Sequence, residues 1–234
     1  MLELLPEQYD VIWFKLPAPD VLRDRCSFAI MVAAGEHPAV CYTSWDGRLQ
    51  YGLVLPKGSL GLTRNEDWVG ESVRSAPGWL AEHVLARREE IYGPIRLNVI
   101  VGCCREWTVP GLLLIGDAAH PMSPVRAQGI NLAFRDAIVA ANHLVPALRS
   151  GSGADALDAA ARAVQAEREP EISRAQQLQS REAQGQGDAR SASWRFTLAK
   201  RGARLLGRYQ WAQHAWLQRQ RDLRFGSTEV KLKV

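Results

Sequence analysis

The stretch from Gly111 to Asn131 combines the residue types and spacing with the clearest chemical use in this sequence. An apolar run from Gly111 to Ile115 ends at Gly116-Asp117, and a polar loop containing Pro124 leads to Gln128-Gly129-Ile130-Asn131. Glycine at the end of a strand lets another backbone or a ligand approach closely. An aspartate just past the carboxyl end of a buried parallel strand stands where α/β proteins place ligand contacts. This stretch therefore predicts a ligand site.

The same residues also indicate what kind of ligand would fit. The Asp117 carboxylate can accept hydrogen bonds from sugar-like hydroxyls, and Gly129 can present bare backbone N–H groups. The start of the helix that follows adds a partial positive charge. A polyhydroxyl chain that ends in an electron-poor ring, which gains negative charge on reduction, matches both features.

Other chemistries for this loop have less support. A magnesium-binding aspartate of a P-loop enzyme would need a Gly-x-x-x-x-Gly-Lys-Ser/Thr motif, which the sequence lacks. A hydrolytic triad of Asp117, His120 and Ser123 would crowd three groups into one loop, and no Gly-x-Ser-x-Gly elbow is present. For His120, an acid/base role and a structural role both stay open. We favour the structural role because a histidine is a candidate base only with demonstrated geometry.

The cysteines predict neither a metal site nor a disulfide. Their spacing fits no zinc pattern, and two of them are adjacent, which makes them poor partners for a metal or for each other. We interpret them as reduced thiols of a cytoplasmic protein, because the first residues do not have the pattern of a secretory signal. The four residues are Cys26, Cys41, Cys103 and Cys104.

The run Gly116-Asp117-Ala118-Ala119-His120, followed by Pro124 and Gln128-Gly129-Ile130-Asn131, resembles the second FAD motif of a monooxygenase family. This is the para-hydroxybenzoate hydroxylase-like family of aromatic-ring hydroxylases. The resemblance implies that the aspartate binds the ribityl chain of FAD, that the proline lines the flavin pocket, and that the helix start contacts the flavin N1/O2 edge. The implied cofactor-binding residues are Gly116, Asp117, Pro124, Gly129, Ile130 and Asn131.

The resemblance also implies an activity and a set of partners. It implies hydroxylation of an aromatic or polycyclic small molecule, with FAD as cofactor, NAD(P)H as co-substrate and O2. It gives no side chain a catalytic role, because in flavoenzymes the cofactor performs the difficult chemistry and the protein positions it.

One departure from the family pattern limits this expectation. Members begin with a Gly-x-Gly-x-x-Gly turn that holds the FAD pyrophosphate, and this sequence has none. The chain therefore resembles a truncated member that lacks about its first 150–170 residues, roughly the size of a dinucleotide-binding domain. The alternative is a non-catalytic remnant, or one half of a two-chain flavoprotein whose partner is a separate FAD-domain chain. In either case we expect the isolated chain to bind FAD poorly.

The patterns predict an α+β to α/β fold in three parts. Residues 1–105 are predicted to form a mainly antiparallel substrate-domain sheet with helices, and residues 106–150 the last strand and helix of an FAD-binding domain. Residues 151–234 are predicted to be helical. In the first part, Asp46-Gly47 marks the turn of a hairpin. Arg48 and Tyr51, on that hairpin, are weak candidates for facing a substrate.

The second and third parts are defined by apolar periodicity. The run from Gly111 to Gly116 is typical of a parallel strand buried on both faces. Residues from Ile130 to Leu148 repeat at helical spacing and predict an amphipathic helix. A second helix is expected from about Asp155 to Glu182, with a break near Pro170. Gln184 to Asp188, which contains two glycines, is expected to be a flexible break.

The basic character of the chain is confined to its tail. The net charge is +4, yet residues 194–234 carry ten basic and two acidic residues. No nucleic-acid partner is therefore predicted. Apolar residues at helical spacing in the tail favour a helix packed on the body, with a membrane-surface or partner-binding helix as the less favoured alternative. These residues are Leu198, Leu205, Leu206, Tyr209, Trp216 and Leu217.

Overall fold

The computed structural model describes residues 1–6, 9–23, 25, 27–64, 67–190, 194–219 and 221–234, and Cys26 lies outside them. Nine strands occur in this part of the chain. They are β1 (Leu2–Leu4), β2 (Tyr9–Pro17), β3 (Phe28–Met31), β4 (Ala39–Thr43), β5 (Arg48–Pro56), β6 (Tyr92–Leu97), β7 (Gly102–Cys104), β8 (Thr108–Val109) and β9 (Leu112–Leu113).

Seven α-helices occur in the same described ranges, together with several short segments of 3-10 helix. The helices are α1 (Trp68–Val73), α2 (Gly78–Ala86), α3 (Gly129–Arg149), α4 (Ala154–Arg190), α5 (Trp194–Leu206), α6 (Gln210–Arg219) and α7 (Arg221–Phe225). None of the described helices is long and apolar enough to cross a membrane.

The chain divides into two compact units. One contains residues 1–7, 100–182 and 206–234, and the other contains residues 8–99 and 183–205. We call the first the loop unit, because it contains the Gly116-Asp117 loop, and the second the sheet unit, because it contains a five-stranded sheet. The three-part division expected from the sequence remains a prediction.

The sheet unit is built on a five-stranded antiparallel sheet, which confirms the predicted fold class. Its strand order is β3-β4-β5-β2-β6. Alternate residues of β2, namely Ile12, Phe14 and Leu16, are buried in one core cluster with Leu80 and Val84 of α2. Side chains alternate between the two faces of a strand. One face of this sheet therefore carries the apolar core, and the intervening residues of β2 lie on the opposite face.

The predicted hairpin at Asp46-Gly47 is confirmed. Strands β4 and β5 pair antiparallel, and Gly47 has a φ of +73°, a conformation that glycine adopts without steric cost. Tyr51 does not face a substrate, because its side chain is fully buried and its hydroxyl donates to the Ser72 carbonyl at 2.8 Å.

The loop unit contains the largest departure from the sequence-based prediction. The run from Gly111 to Gly116 is not a parallel strand buried on both faces. Only β9 forms there, and it pairs antiparallel with β8. Leu112 is 54% exposed and Ile115 is 38% exposed. A parallel strand needs flanking strands, and in the described part of the chain β9 has β8 alone as its neighbour.

Helix α3 forms as predicted, but its buried face differs from the expected one. Ile130 and Phe134, which belong to the predicted apolar stripe, are 66% and 64% exposed. The buried residues are instead Leu132, Asp136 and Val139. The packed face is decided by the partners that the tertiary structure provides, since Asp136 pairs with a buried cation of α4.

Helix α4 is continuous where two breaks were expected. It runs through Pro170 and through residues 184–188. Glycine in a helix costs only about 1 kcal/mol relative to alanine, so two glycines do not forbid helical backbone. The break predictions were therefore wrong.

The predicted packing of these apolar tail residues on the body is also wrong for those whose side chains the structure describes. Their apolar side chains are between 38% and 66% exposed: Leu198, Leu205, Leu206, Tyr209 and Leu217. The side chain of Trp216 lies outside the described residues.

Candidate functional site

The Gly116-Asp117 turn is shaped by a glycine that has no room for a side chain. Gly116 has a φ of +58°, and a Cβ built there would lie 3.0 Å from the Ala133 Cβ. A single 3-10 turn spans Gly116–Ala118, and the amides of Ala119 and His120 both donate to the Gly116 carbonyl at 2.9 Å. Gly116 therefore allows the loop to turn tightly against α3.

The structure places the Asp117 carboxylate beside the start of α3. Asp117 is exposed, and a Cβ added to Gly129 would lie 3.6 Å from its Oδ1 atom. Gln128 precedes the helix without a side-chain hydrogen bond to cap it, and the Leu132 amide is the one that reaches the Gln128 carbonyl, at 3.0 Å. The first N–H groups of a helix have no partner within that helix. The Asp117 carboxylate, an acceptor, therefore lies beside the backbone N–H donors that begin α3.

The remaining predicted site residues surround this point. Pro124 is exposed and precedes the 3-10 turn Val125–Ala127. Ile130 is exposed in the first turn of α3, and the Asn131 side chain donates to Gln128 Oε1 at 3.5 Å. The structure thus gathers the predicted residues on one loop and one helix start. Their contact with a flavin stays a proposal.

Behind the turn lies a buried ionic network that the sequence patterns did not indicate. Asp136, fully buried on α3, accepts the Gly116 amide at 3.0 Å and the His120 Nε2–H at 2.7 Å through its Oδ2 atom. Its Oδ1 atom accepts the Arg168 Nε–H at 2.8 Å. Arg168 also pairs with Glu171, which in turn pairs with Arg135 at 2.8 Å. The charges of the two carboxylates and the two guanidinium groups in this network therefore cancel.

The surroundings of His120 favour the structural role over the acid/base role. It is fully buried, and its ring lies 4.9 Å from the ring of Trp107, which is fully buried too. A group that must exchange protons with a substrate needs access to it. Burial and the bond to Asp136 instead assign His120 to fixing the turn.

The two carboxyls of this network have lowered pKa values. Burial alone would raise the pKa of Asp136, but hydrogen bonds from His120 and Arg168 outweigh it and hold the pKa below its ordinary value. Burial opposes the shift at Glu171 as well, and bonds from Arg135 and Arg168 again prevail.

These shifts predict a loss of stability in acid. A carboxyl with a depressed folded pKa stabilises the fold above its unfolded pKa, about 3.9 for Asp and 4.3 for Glu. That stability is lost as the pH falls through the lower folded value. Urea unfolding between pH 7 and pH 2.5 should show the decline begin near pH 4. It should be shallower in Asp136→Asn, and an identical slope would contradict the prediction.

The sheet unit has an aromatic face opposite its core. The Trp13 indole donates to Gln50 Oε1 at 2.8 Å, and the Trp13 and Tyr42 rings lie 5.9 Å apart. A Cβ at Gly52 would lie 2.7 Å from Trp13, so glycine lets the ring lie flat against β5. On the same face, Phe28 is 61% exposed. This face offers flat, partly exposed aromatic surface.

Solved structures share this fold. PqsL of Pseudomonas aeruginosa, in a structure with 2-aminobenzoylacetate, superposes with a TM-score of 0.64 at 20% identity, covering 81% of this chain and 52% of that chain. A mutant of 2-methyl-3-hydroxypyridine-5-carboxylic acid oxygenase superposes with a TM-score of 0.61 at 18% identity, covering 81% and 50%. The chain therefore has the fold of the FAD-dependent hydroxylases.

Sequence comparison finds one matching family and several curated relatives. Residues 87–177 match the family described as FAD binding domain. The 6-methylpretetramide 4-monooxygenase of Streptomyces rimosus is 39% identical over 172 residues, which are 73% of this chain and 39% of that protein. Kynurenine 3-monooxygenase of Stenotrophomonas maltophilia is 44% identical over 66 residues, 28% of this chain and 13% of that protein. The chain is thus a homologue of the FAD-dependent aromatic hydroxylases. It spans about two-fifths of this Streptomyces relative.

Proposed function

We propose that the Gly116-Asp117 turn and the start of α3 form the flavin-facing part of an FAD site. The observation that carries this proposal is the placement of the Asp117 carboxylate beside Gly129, at an uncapped helix start. Asp117 accepts hydrogen bonds from the ribityl hydroxyls. The backbone of Gly129, Ile130 and Asn131 meets the N1/O2 edge of the ring, and Pro124 lines the flavin pocket.

The residues present fit this cofactor. A side chain at residue 129 would fill the space between the helix start and Asp117, which glycine leaves open. Partial positive charge at the helix start favours negative charge at the ring edge. When bound, FAD supplies the redox chemistry with O2, and NAD(P)H is the reductant. The side chains of this chain bind and orient, and none is assigned an acid or base step.

The complete protein is proposed to hydroxylate an aromatic or polycyclic small molecule. The aromatic face around Trp13, Tyr42 and Gly52 supports this proposal, since planar ligands gain most from flat aromatic surface. The names of the relatives point the same way, as one acts on 6-methylpretetramide and another on kynurenine. We place residues 106–150 in the FAD-binding domain, residues 1–105 in the substrate domain, and residues 151–234 in a helical region.

A second candidate is favoured by a separate observation, namely an apolar surface of the loop unit. Leu112, Ile115, Ile130 and Phe134 are between 38% and 66% exposed. Exposed apolar strands and helix faces favour association. This chain is therefore also proposed as one half of a two-chain flavoprotein, in which a separate FAD-domain chain covers that surface.

Titration with FAD tests the proposed flavin site. We expect weak FAD binding by the chain alone, because the Gly-x-Gly-x-x-Gly turn that grips the pyrophosphate is absent from its sequence. Co-expression with the unmatched remainder of the Streptomyces relative should yield an assembly with bound FAD. That assembly should oxidise NAD(P)H faster when an aromatic substrate is present.

The control variant is Asp155→Ala, which removes an exposed carboxylate of α4. It should leave the FAD affinity of the assembly unchanged. Stoichiometric FAD in the chain purified alone would contradict the half-site proposal. Absence of FAD from every assembly would contradict the flavin site itself.

A further inference from the structure

The loop that leads into α3 contains two consecutive residues in an unfavourable backbone conformation. Arg126 has a φ of +67° and Ala127 a φ of +51°, and they are the described non-glycine residues with positive φ. For a residue with a Cβ, this left-handed region costs free energy. Such a conformation persists only where surrounding contacts hold it.

The contacts that hold this loop come from one face of α4. Glu182 forms two bonds to Arg126, at 2.6 Å from Nε and 3.1 Å from Nη2. The Gln179 side-chain amide donates to the Ser123 carbonyl at 3.1 Å and to the Val125 carbonyl at 2.8 Å. Residues three apart share a helix face, so α4 holds the loop from one side.

The Arg126–Glu182 pair is well suited to this task. The two side chains are only 26% and 20% exposed, and a two-pronged guanidinium–carboxylate pair fixes orientation as well as distance. The Gln128 side chain also donates to the Arg126 carbonyl, at 2.9 Å. The conformation of Arg126 and Ala127 therefore fixes where Gln128 and Gly129 begin the helix.

We propose that Glu182 is a positioning residue. Through Arg126 it holds the loop in its left-handed conformation, and it thereby orients the first backbone N–H groups of α3. Glu182 does not itself belong to the proposed flavin site, and it acts through its pair with Arg126. The part of this inference that concerns flavin binding rests on the proposed function. The part that concerns the loop conformation does not.

A glycine substitution separates positioning from general stability. Glycine adopts positive φ without steric cost, so Ala127→Gly should restore the loop once Glu182 is lost. If Glu182 merely strengthened the packing of α4, a glycine in the loop would restore nothing.

Hydrogen exchange on the full chain tests the loop without any flavin. The amides to follow are Ala127, which donates to the Pro124 carbonyl at 2.9 Å, and Leu132, the first bonded amide of α3. Glu182→Gln should speed their exchange about tenfold, the size expected when one strained residue is released. The double variant Glu182→Gln/Ala127→Gly should return exchange most of the way.

The matched control is Glu90→Gln, which breaks an exposed Arg87–Glu90 pair of 2.9 Å in the sheet unit. It should leave both amides unchanged. The proposal is overturned if Glu182→Gln behaves like Glu90→Gln, or if the glycine restores nothing.

A second measurement uses the FAD-binding assembly described above. There Glu182→Gln should weaken FAD affinity about tenfold, and Ala127→Gly should restore it. Faster exchange with unchanged FAD affinity would overturn the positioning role. If exchange responds as expected but the unsubstituted assembly binds no FAD, the hold on the loop stands and the proposed function fails.

Discussion

Replacing Arg168 by methionine should lower the free energy of unfolding of the loop unit by about 3–5 kcal/mol. Arg168 is fully buried and pairs with two buried carboxylates, Asp136 and Glu171. Methionine fills much of the same space but leaves those carboxylates without their shared cation. An uncompensated buried charge costs far more than the loss of an exposed pair. Urea unfolding followed by circular dichroism measures the change.

Arg174→Met is the matched control, because Arg174 lies on the same helix and pairs with Asp222 at 3.3 Å where both side chains are partly exposed. Its cost should be about 0–1 kcal/mol. In the Asp136→Asn background, Arg168→Met should cost less than it does alone, since one of the stranded charges is gone. Equal losses for Arg168→Met and Arg174→Met would show that the buried network does not stabilise the unit.

In the FAD-binding assembly, Asp117→Ala should raise the Kd for FAD by roughly ten- to a hundredfold. A hydrogen bond to a charged group contributes about 1.5–3 kcal/mol, and alanine removes the acceptor. Because Asp117 is exposed and the hydrogen bonds that hold the turn run through Gly116, the variant should keep its fold. Flavin fluorescence titration gives the Kd, and circular dichroism checks the fold.

Asp155→Ala serves again as the control, as it removes an exposed carboxylate from the same unit. Asp117→Asn should fall between Asp117→Ala and the unsubstituted chain, since the amide oxygen still accepts while the charge is lost. Unchanged affinity in a folded Asp117→Ala variant would remove the assignment of this residue to the ribityl chain.

Local features of this protein could be predicted from its sequence. The Asp46-Gly47 turn predicted the antiparallel hairpin of β4 and β5, because turn chemistry depends on neighbours along the chain. The cluster from Gly116 to Asn131 predicted a loop and helix start of the kind observed. Motif spacing of this sort depends on short-range geometry and can be seen in one dimension.

The contacts that support that loop could not be predicted in this way, because they join residues far apart in the chain. Asp136 pairs with Arg168, 32 residues away, and Arg126 pairs with Glu182, 56 residues away. No periodicity links charges at such separations, and a helix pattern alone could not show that Asp136 would be buried while Ile130 and Phe134 stay exposed.

Dependence on partners far apart in the sequence also explains the wrong strand prediction. The run from Gly111 to Ile115 has the composition of a buried parallel strand, yet burial depends on neighbouring strands. In the described structure β9 pairs with β8 alone. The sequence therefore determined which residues could form a site, and long-range pairing decided which of them are held in place and which remain open.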